Sequence, residues 1–117
     1  MTNQTAQLHH LADLLLQLEL ALRNNGFWQQ QPPSPAAMAS RLPFCADTLE
    51  FSQWLQFVFL PRMQHLIENN EPLPDNSNIT AMAQEAWSEG AENREILQPI
   101  RAIDAVLTSR RGNSNRG

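Results

Sequence analysis

The chain has 117 residues, enough for one domain with a modest core but not for a deep catalytic cleft. Formal net charge is −4: eight basic residues, all arginine, stand against twelve Asp and Glu. Three of the arginines, Arg110, Arg111 and Arg116, sit in the last eight residues. The body before them, with five arginines against twelve acids, carries −7 and repels a phosphate backbone. Direct nucleic-acid binding is therefore disfavoured, and no stretch approaches the length and apolarity of a membrane span. Cys45 is the only cysteine, which excludes an intrachain disulfide and suits a reducing cytoplasm. Leu8–Leu22 is interrupted by Asp13 and Glu19 and lacks a basic flank, so it is not expected to be a signal peptide.

Leu8, Leu11, Leu15, Leu18 and Leu22 recur at spacings of three, four, three and four, which predicts an amphipathic helix. Leu14 widens this stripe, whereas Leu16 and Leu20 lie off it. Asn24, Asn25 and Gly26 form a stop signal. Phe27 and Trp28 then fold back as an apolar plug or stand out as an anchor, the plug being the commoner arrangement. Pro32, Pro33 and Pro35 make a rigid loop, and Ser34 is placed to cap a short turn beginning at Pro35.

The segment from Leu42 to Glu68 is the densest apolar stretch, and a central helix is expected within it. Asp47 is read as its N-cap, with Glu50 at the third helical position as in a capping box. Phe51, Trp54, Leu55, Val58, Phe59, Arg62, His65 and Leu66 share one side. Leu49, Leu60, Met63 and Ile67 draw a second apolar line. A helix with two such lines is either central to its bundle or meets a partner with the second, and an intrachain core favours the former. An exposed second line would offer Phe57, Leu60, Arg62, Met63 and Ile67 as a partner-binding surface. Pro61 predicts a kink, because its ring crowds the carbonyl four residues back.

Pro72 and Pro74 mark the next loop, and Asn78 or Ser77 is read as the cap of a third helix through Met82, Ala83, Ala86 and Trp87. Gly90 is expected to end or interrupt it. The last helix, from about Ala91 to Leu107, has Ile96, Ile100, Ile103 and Leu107 as its seam, with Pro99 as a local fault. The pattern predicts an all-α four-helix bundle with a kinked central helix. It is a single domain over residues 1–109, followed by a disordered tail over 110–117. Leu11, Leu15, Leu18, Leu55, Val58, Leu66, Ile96, Ile100 and Ile103 are its expected core.

No catalytic or cofactor constellation emerges, and no cofactor or metal is expected. His9 and His10 are adjacent and point about 100° apart on a helix, and no ligand spacing joins them to His65 or Cys45. Glu85, Glu89 and Glu92 read as solvated acids before they read as a catalytic pair. A glycine-rich phosphate cradle is absent. Two functional classes remain: a non-catalytic protein-binding domain, or a small ligand-binding or enzymatic bundle with a pocket near Trp54, Arg62 and His65.

The wording PFCADTLEFSQWLQFVFLPRM, from Pro43 to Met63, resembles the YqcC-like family of small bacterial proteins. The resemblance extends over nearly the whole chain to about Leu107. It implies a short helical bundle. Genes of the family often stand beside that of a tRNA pseudouridine synthase, which implies an accessory role and that enzyme as a protein partner. It implies no catalytic residue here. Such synthases use a catalytic aspartate in a much larger mixed fold, and nothing in this chain matches that setting.

Overall fold

The computed structural model describes residues 2–74, 78–87 and 93–116, with the side chains of 2–5, 43 and 109–116 left aside. Among these described residues, six α-helical pieces follow one another: α1 (Thr2–Asn24), α2 (Pro35–Met38), α3 (Phe51–Trp54), α4 (Leu60–Glu68), α5 (Ile79–Ala86) and α6 (Arg94–Arg116). A 3-10 turn at Pro43–Cys45 precedes α3, and a π turn at Leu55–Phe59 joins α3 to α4 in one continuous rod. Among the described residues there is no strand. With α3 and α4 taken as one rod, the four principal helices form the all-α bundle that the periodicity predicts. The long pair α1 and α6 lies together, α4 packs on α1, and α5 packs on α6.

The leucine stripe of α1 enters the core through Leu11, Leu14, Leu15, Leu18 and Leu22. Leu16 and Leu20 remain on the solvent side. The helix ends in a Schellman motif: Phe27 N–H reaches Leu22 O at 2.9 Å, and Gly26 N–H reaches Arg23 O at 3.3 Å. Gly26 adopts φ +78°, the left-handed conformation this closure requires. The turn folds Phe27 and Trp28 back onto the core as a plug. The Phe27 ring meets Trp87 at 5.3 Å, and the Arg23 guanidinium lies 4.3 Å from the centre of Trp28. Ser34 caps α2 as expected, its hydroxyl accepting Ala37 N–H at 3.2 Å.

The N-terminus of the central rod differs from the sequence expectation. α3 begins at Phe51 with Glu50 as the N-cap residue, and Gln53 Oε1 accepts Glu50 N–H at 2.8 Å. Asp47 is not the cap; it lies in the preceding turn and accepts a hydrogen bond from the Ser40 hydroxyl. The physical reason is the backbone before it. Phe44 and Cys45 are both left-handed, at φ 59° and 51°, and Thr48 and Leu49 N–H both close on Cys45 O. Thr48 Oγ1 also donates to Ala37 O at 2.7 Å. Asp47 and Thr48 are thus occupied in tying this turn to Ser40 and to α2. Each left-handed residue costs about 1–3 kcal/mol. Packing of the Phe44 ring against Trp54, at 4.8 Å, offsets part of this.

Past Trp54 the rod widens. Leu60 N–H bonds to Leu55 O, five residues back, and Pro61 then stands in the first turn of α4. Pro61 has no N–H to give the Phe57 carbonyl, and an α-helical turn would press its ring on that oxygen. The π turn relieves the clash by admitting one extra residue. One extra residue rotates everything downstream by about 100° relative to an unbroken helix. Phe51, Leu55, Phe59, Leu60 and Met63 therefore fall on one face, and all five are buried. The two apolar lines of the sequence are a single face drawn across a change of phase. Val58 and Leu66, expected in the core, are only half-buried, because the extra residue turns Phe59 and Met63 inward in their place. Gln56 is buried within the π turn. Its Oε1 accepts Gln29 N–H at 2.9 Å and its Nε2 donates to Gln29 O at 2.7 Å, pinning the loop after α1.

α4 ends in a second Schellman closure, with Glu71 N–H on Leu66 O at 2.9 Å and Asn70 at φ 54°. Asn78 stands before α5, but its side chain does not cap the helix. Asp104 of α6 takes that role, its two carboxylate oxygens accepting Ile79 N–H at 3.3 Å and Thr80 N–H at 2.7 Å. Asp104→Ala is expected to cost about 0.5–2 kcal/mol, the range for losing a helix cap, read as a fall in the denaturation midpoint. A midpoint within error of the unaltered chain would remove Asp104 from this role. Ser77 and Gly90, expected to bound the third helix, lie outside the described residues, as do Ala91, Glu89 and Glu92.

α6 buries Ile96, Leu97, Ile100, Ile103 and Leu107, which includes the whole expected seam. Pro99 is accommodated within the helix, near its N-terminal end. The backbone of α6 continues to Arg116, through most of the stretch expected to form a loose tail. Glu95 receives the side-chain amides of Asn24 and Asn25, each at 3.0 Å, and so clamps the end of α1 to the start of α6.

Candidate docking surfaces

The five residues expected on a partner-binding surface are divided by the fold. Leu60 and Met63 are 2% and 1% exposed and belong to the core, a consequence of the phase change at the π turn. Phe57 is half-buried. Arg62 is exposed and stands at an aromatic depression, while Ile67 lies in a separate groove between α1 and α4. The contiguous surface read from the second apolar line does not form.

The aromatic depression encloses about 190 Å³ and is lined by Phe44, Trp54, Val58, Phe59, Arg62, Met63 and Pro74. The strained turn at Phe44 delivers its ring edge-on to Trp54, and Trp54 stacks on Phe59 at 5.4 Å. Among the described residues, Arg62 is the only charged one in the lining. His65, expected to join Trp54 and Arg62, does not line this depression. Its Nε2 lies 3.2 Å from Glu71 Oε2, and its Nδ1 lies 3.1 Å from the Asn69 side-chain nitrogen. The local helix terminus, closed by Asn69 and Asn70, draws the ring away.

The groove between α1 and α4 is larger, about 350 Å³, and is lined by Ala12, Leu15, Leu16, Glu19, Gln64, Ile67 and Glu68. Its charged lining is of the opposite sign, Glu19 and Glu68 being the charged ones among the described residues. Glu19 accepts from Arg23 at 3.0 Å, one turn along α1. Leu16 is 54% exposed at the groove, and Leu20, one turn on, is 48% exposed. These two leucines escaped the sequence reading as site residues. The signal was present: they stand outside a stripe that already filled the buried face of α1.

Neither lining combines a nucleophile with a base. Cys45 is buried, and among the described residues no three of His, Cys, Asp and Glu come together as a metal set. No described helix is long and apolar enough to cross a membrane.

A family model described as "tRNA pseudouridine synthase C" matches residues 10–106. An uncharacterised protein of Haemophilus influenzae is 38% identical over 109 residues, covering 93% of this chain and 97% of that one. Uncharacterized protein YqcC of Escherichia coli is 35% identical over 101 residues, covering 85% of this chain and 93% of its own length. The solution NMR structure of E. coli YqcC superposes with a TM-score of 0.75 at 30% identity, covering 86% of this chain and 87% of that one. A chain from Pectobacterium carotovorum named tRNA pseudouridine synthase C is 40% identical over 73 residues. That match spans 62% of this chain but only 19% of the longer one. With full-length relatives, a matching family model and a shared fold all in agreement, the chain belongs to the YqcC-like family.

Proposed function

We propose that this chain is a non-catalytic accessory domain that binds a tRNA-modifying enzyme, a tRNA pseudouridine synthase, in the cytoplasm. The observation that carries the reading is the partial match to the Pectobacterium chain. A segment like this domain occupies 19% of a longer chain that bears the enzyme's name. Two units joined in one chain meet at high effective concentration, whereas the same units on separate chains need an interface of their own. The surface favours a protein over bare RNA: the body before the last three arginines has five arginines against twelve acids, a net −7. The exposed Leu16 and Leu20 supply apolar area for such an interface.

A second reading, a small-ligand site, is supported by the aromatic depression, where Arg62 is the one charge among the described residues. It calls for an anionic ligand with an apolar body.

Titration calorimetry of the purified chain against purified tRNA pseudouridine synthase C encoded in the same genome separates the two. The accessory reading expects saturable binding at a fixed ratio, with no shift of tRNA by this chain alone. Absence of binding to a synthase preparation that is active on tRNA would sink the accessory reading for that enzyme.

A further inference from the structure

We infer that the groove between α1 and α4 receives a basic amphipathic helix of the partner protein. The inference rests on the protein-binding reading above and names the surface and the chemistry of its occupant.

The groove is apolar at its floor, where Leu15 is buried and Ile67 half-buried. Leu16 rises at its edge, 54% exposed, and Leu20 repeats it one turn on. Leucines at this spacing on a solvent-facing side form a ridge, and a ridge of one helix packs into the groove of another. The walls are themselves helices, and among the described residues no strand edge is open to an extended peptide. A third helix is thus the shape that fits, with apolar anchors at i, i+3 or i+4, and i+7.

Charge selects the occupant further. Among the described residues the charged lining consists of carboxylates, Glu19 and Glu68. Glu19 already holds Arg23. Glu68 is exposed at the end of α4, and among the described residues no cation pairs with it. A helix with arginine or lysine beside its apolar anchors gains there, and an acidic helix is repelled. An enzyme that handles tRNA carries basic surface of this kind. The aromatic depression, with Arg62, has the opposite preference and serves as an internal control.

The test uses the full chain and two synthetic helical peptides with leucine at i, i+3, i+4 and i+7. One carries arginine at the remaining positions and the other glutamate. Backbone amide shifts are followed by NMR. The arginine peptide is expected to give saturable shifts centred on Ala12, Leu16 and Ile67, and the glutamate peptide none. Leu16→Asp/Glu68→Arg is expected to weaken binding by about tenfold or more, while Arg62→Glu leaves it unchanged. Leu16→Ser, a milder change at an exposed site, replaces the double variant if its helical signal is lost. Shifts that map elsewhere, equal binding of the glutamate peptide, or full affinity in the groove variant would overturn the inference. The calorimetry with the synthase reports separately on the accessory reading. Groove binding of the peptide without synthase binding removes that enzyme as partner and leaves the groove assigned. Synthase binding that ignores the groove variant does the reverse.

Discussion

Leu60→Asp/Met63→Asp is expected to abolish the fold, not to leave a folded chain with a spoiled surface. Both side chains are almost wholly excluded from water, at 2% and 1% exposure, within one cluster with Leu55, Phe59 and the leucines of α1. Burying an ionised carboxylate without a partner costs several kcal/mol even after relaxation. Two such costs match or exceed the total stability of about 5–15 kcal/mol that a domain of this kind has to lose. The helical circular dichroism signal should therefore fall to that of an unfolded chain. A double variant that keeps its helix content and a cooperative melt would show that Leu60 and Met63 face solvent, and the phase change at the π turn would have to be abandoned.

Leu55→Ala is the second large effect, expected to cost about 2–5 kcal/mol. Leu55 is 0% exposed and opens the π turn, with its carbonyl accepting Leu60 N–H. The loss combines the transfer term for the removed carbons with the cavity left behind. The rigid surroundings, Phe51 and Phe59 on the same face, offer little material to fill it. Chemical denaturation should show a lower midpoint at an unchanged slope. An unchanged midpoint would place Leu55 outside the core.

Much of the bundle was legible in the amino-acid pattern because α1 and α6 are unbroken repeats. Leu11, Leu15, Leu18, Ile96, Ile100 and Ile103 follow the helical period with no interruption on the buried side, so periodicity alone identifies them. The central rod resisted the same reasoning. Periodicity presumes a constant rotation per residue, and the π turn breaks that constancy between Leu55 and Phe59. A constant period therefore puts Val58 in the core in place of Met63, and makes the displaced half of the buried face look like a second surface. Pro61 was the visible warning, since a proline inside a helix forces either a kink or a wider turn, and only the structure says which.

Capping failed for a related reason. Asp47 satisfies the local rule for an N-cap, but the left-handed pair Phe44 and Cys45 claims the intervening residues, and Glu50 with Gln53 closes the helix instead. At α5 the cap comes from Asp104, which is 24 residues away from Thr80 and invisible to any local rule. The groove between α1 and α4 is hidden similarly: Leu16 stands apart in the sequence, but Ile67 and Glu68 join it only once α4 is laid on α1.

Two claims stand together: the central rod spends its apolar face on the core, and the proposed partner contact falls to the groove between α1 and α4. Amide hydrogen exchange of the chain, free and with the purified synthase, tests both together. Leu60 and Met63 should already be protected in the free chain and unchanged by the partner. New protection should appear over residues 12–20 of α1 and 64–68 of α4. Fast exchange at Leu60 and Met63, or partner-induced protection centred on Phe44 and Arg62 with none over residues 12–20, would contradict it.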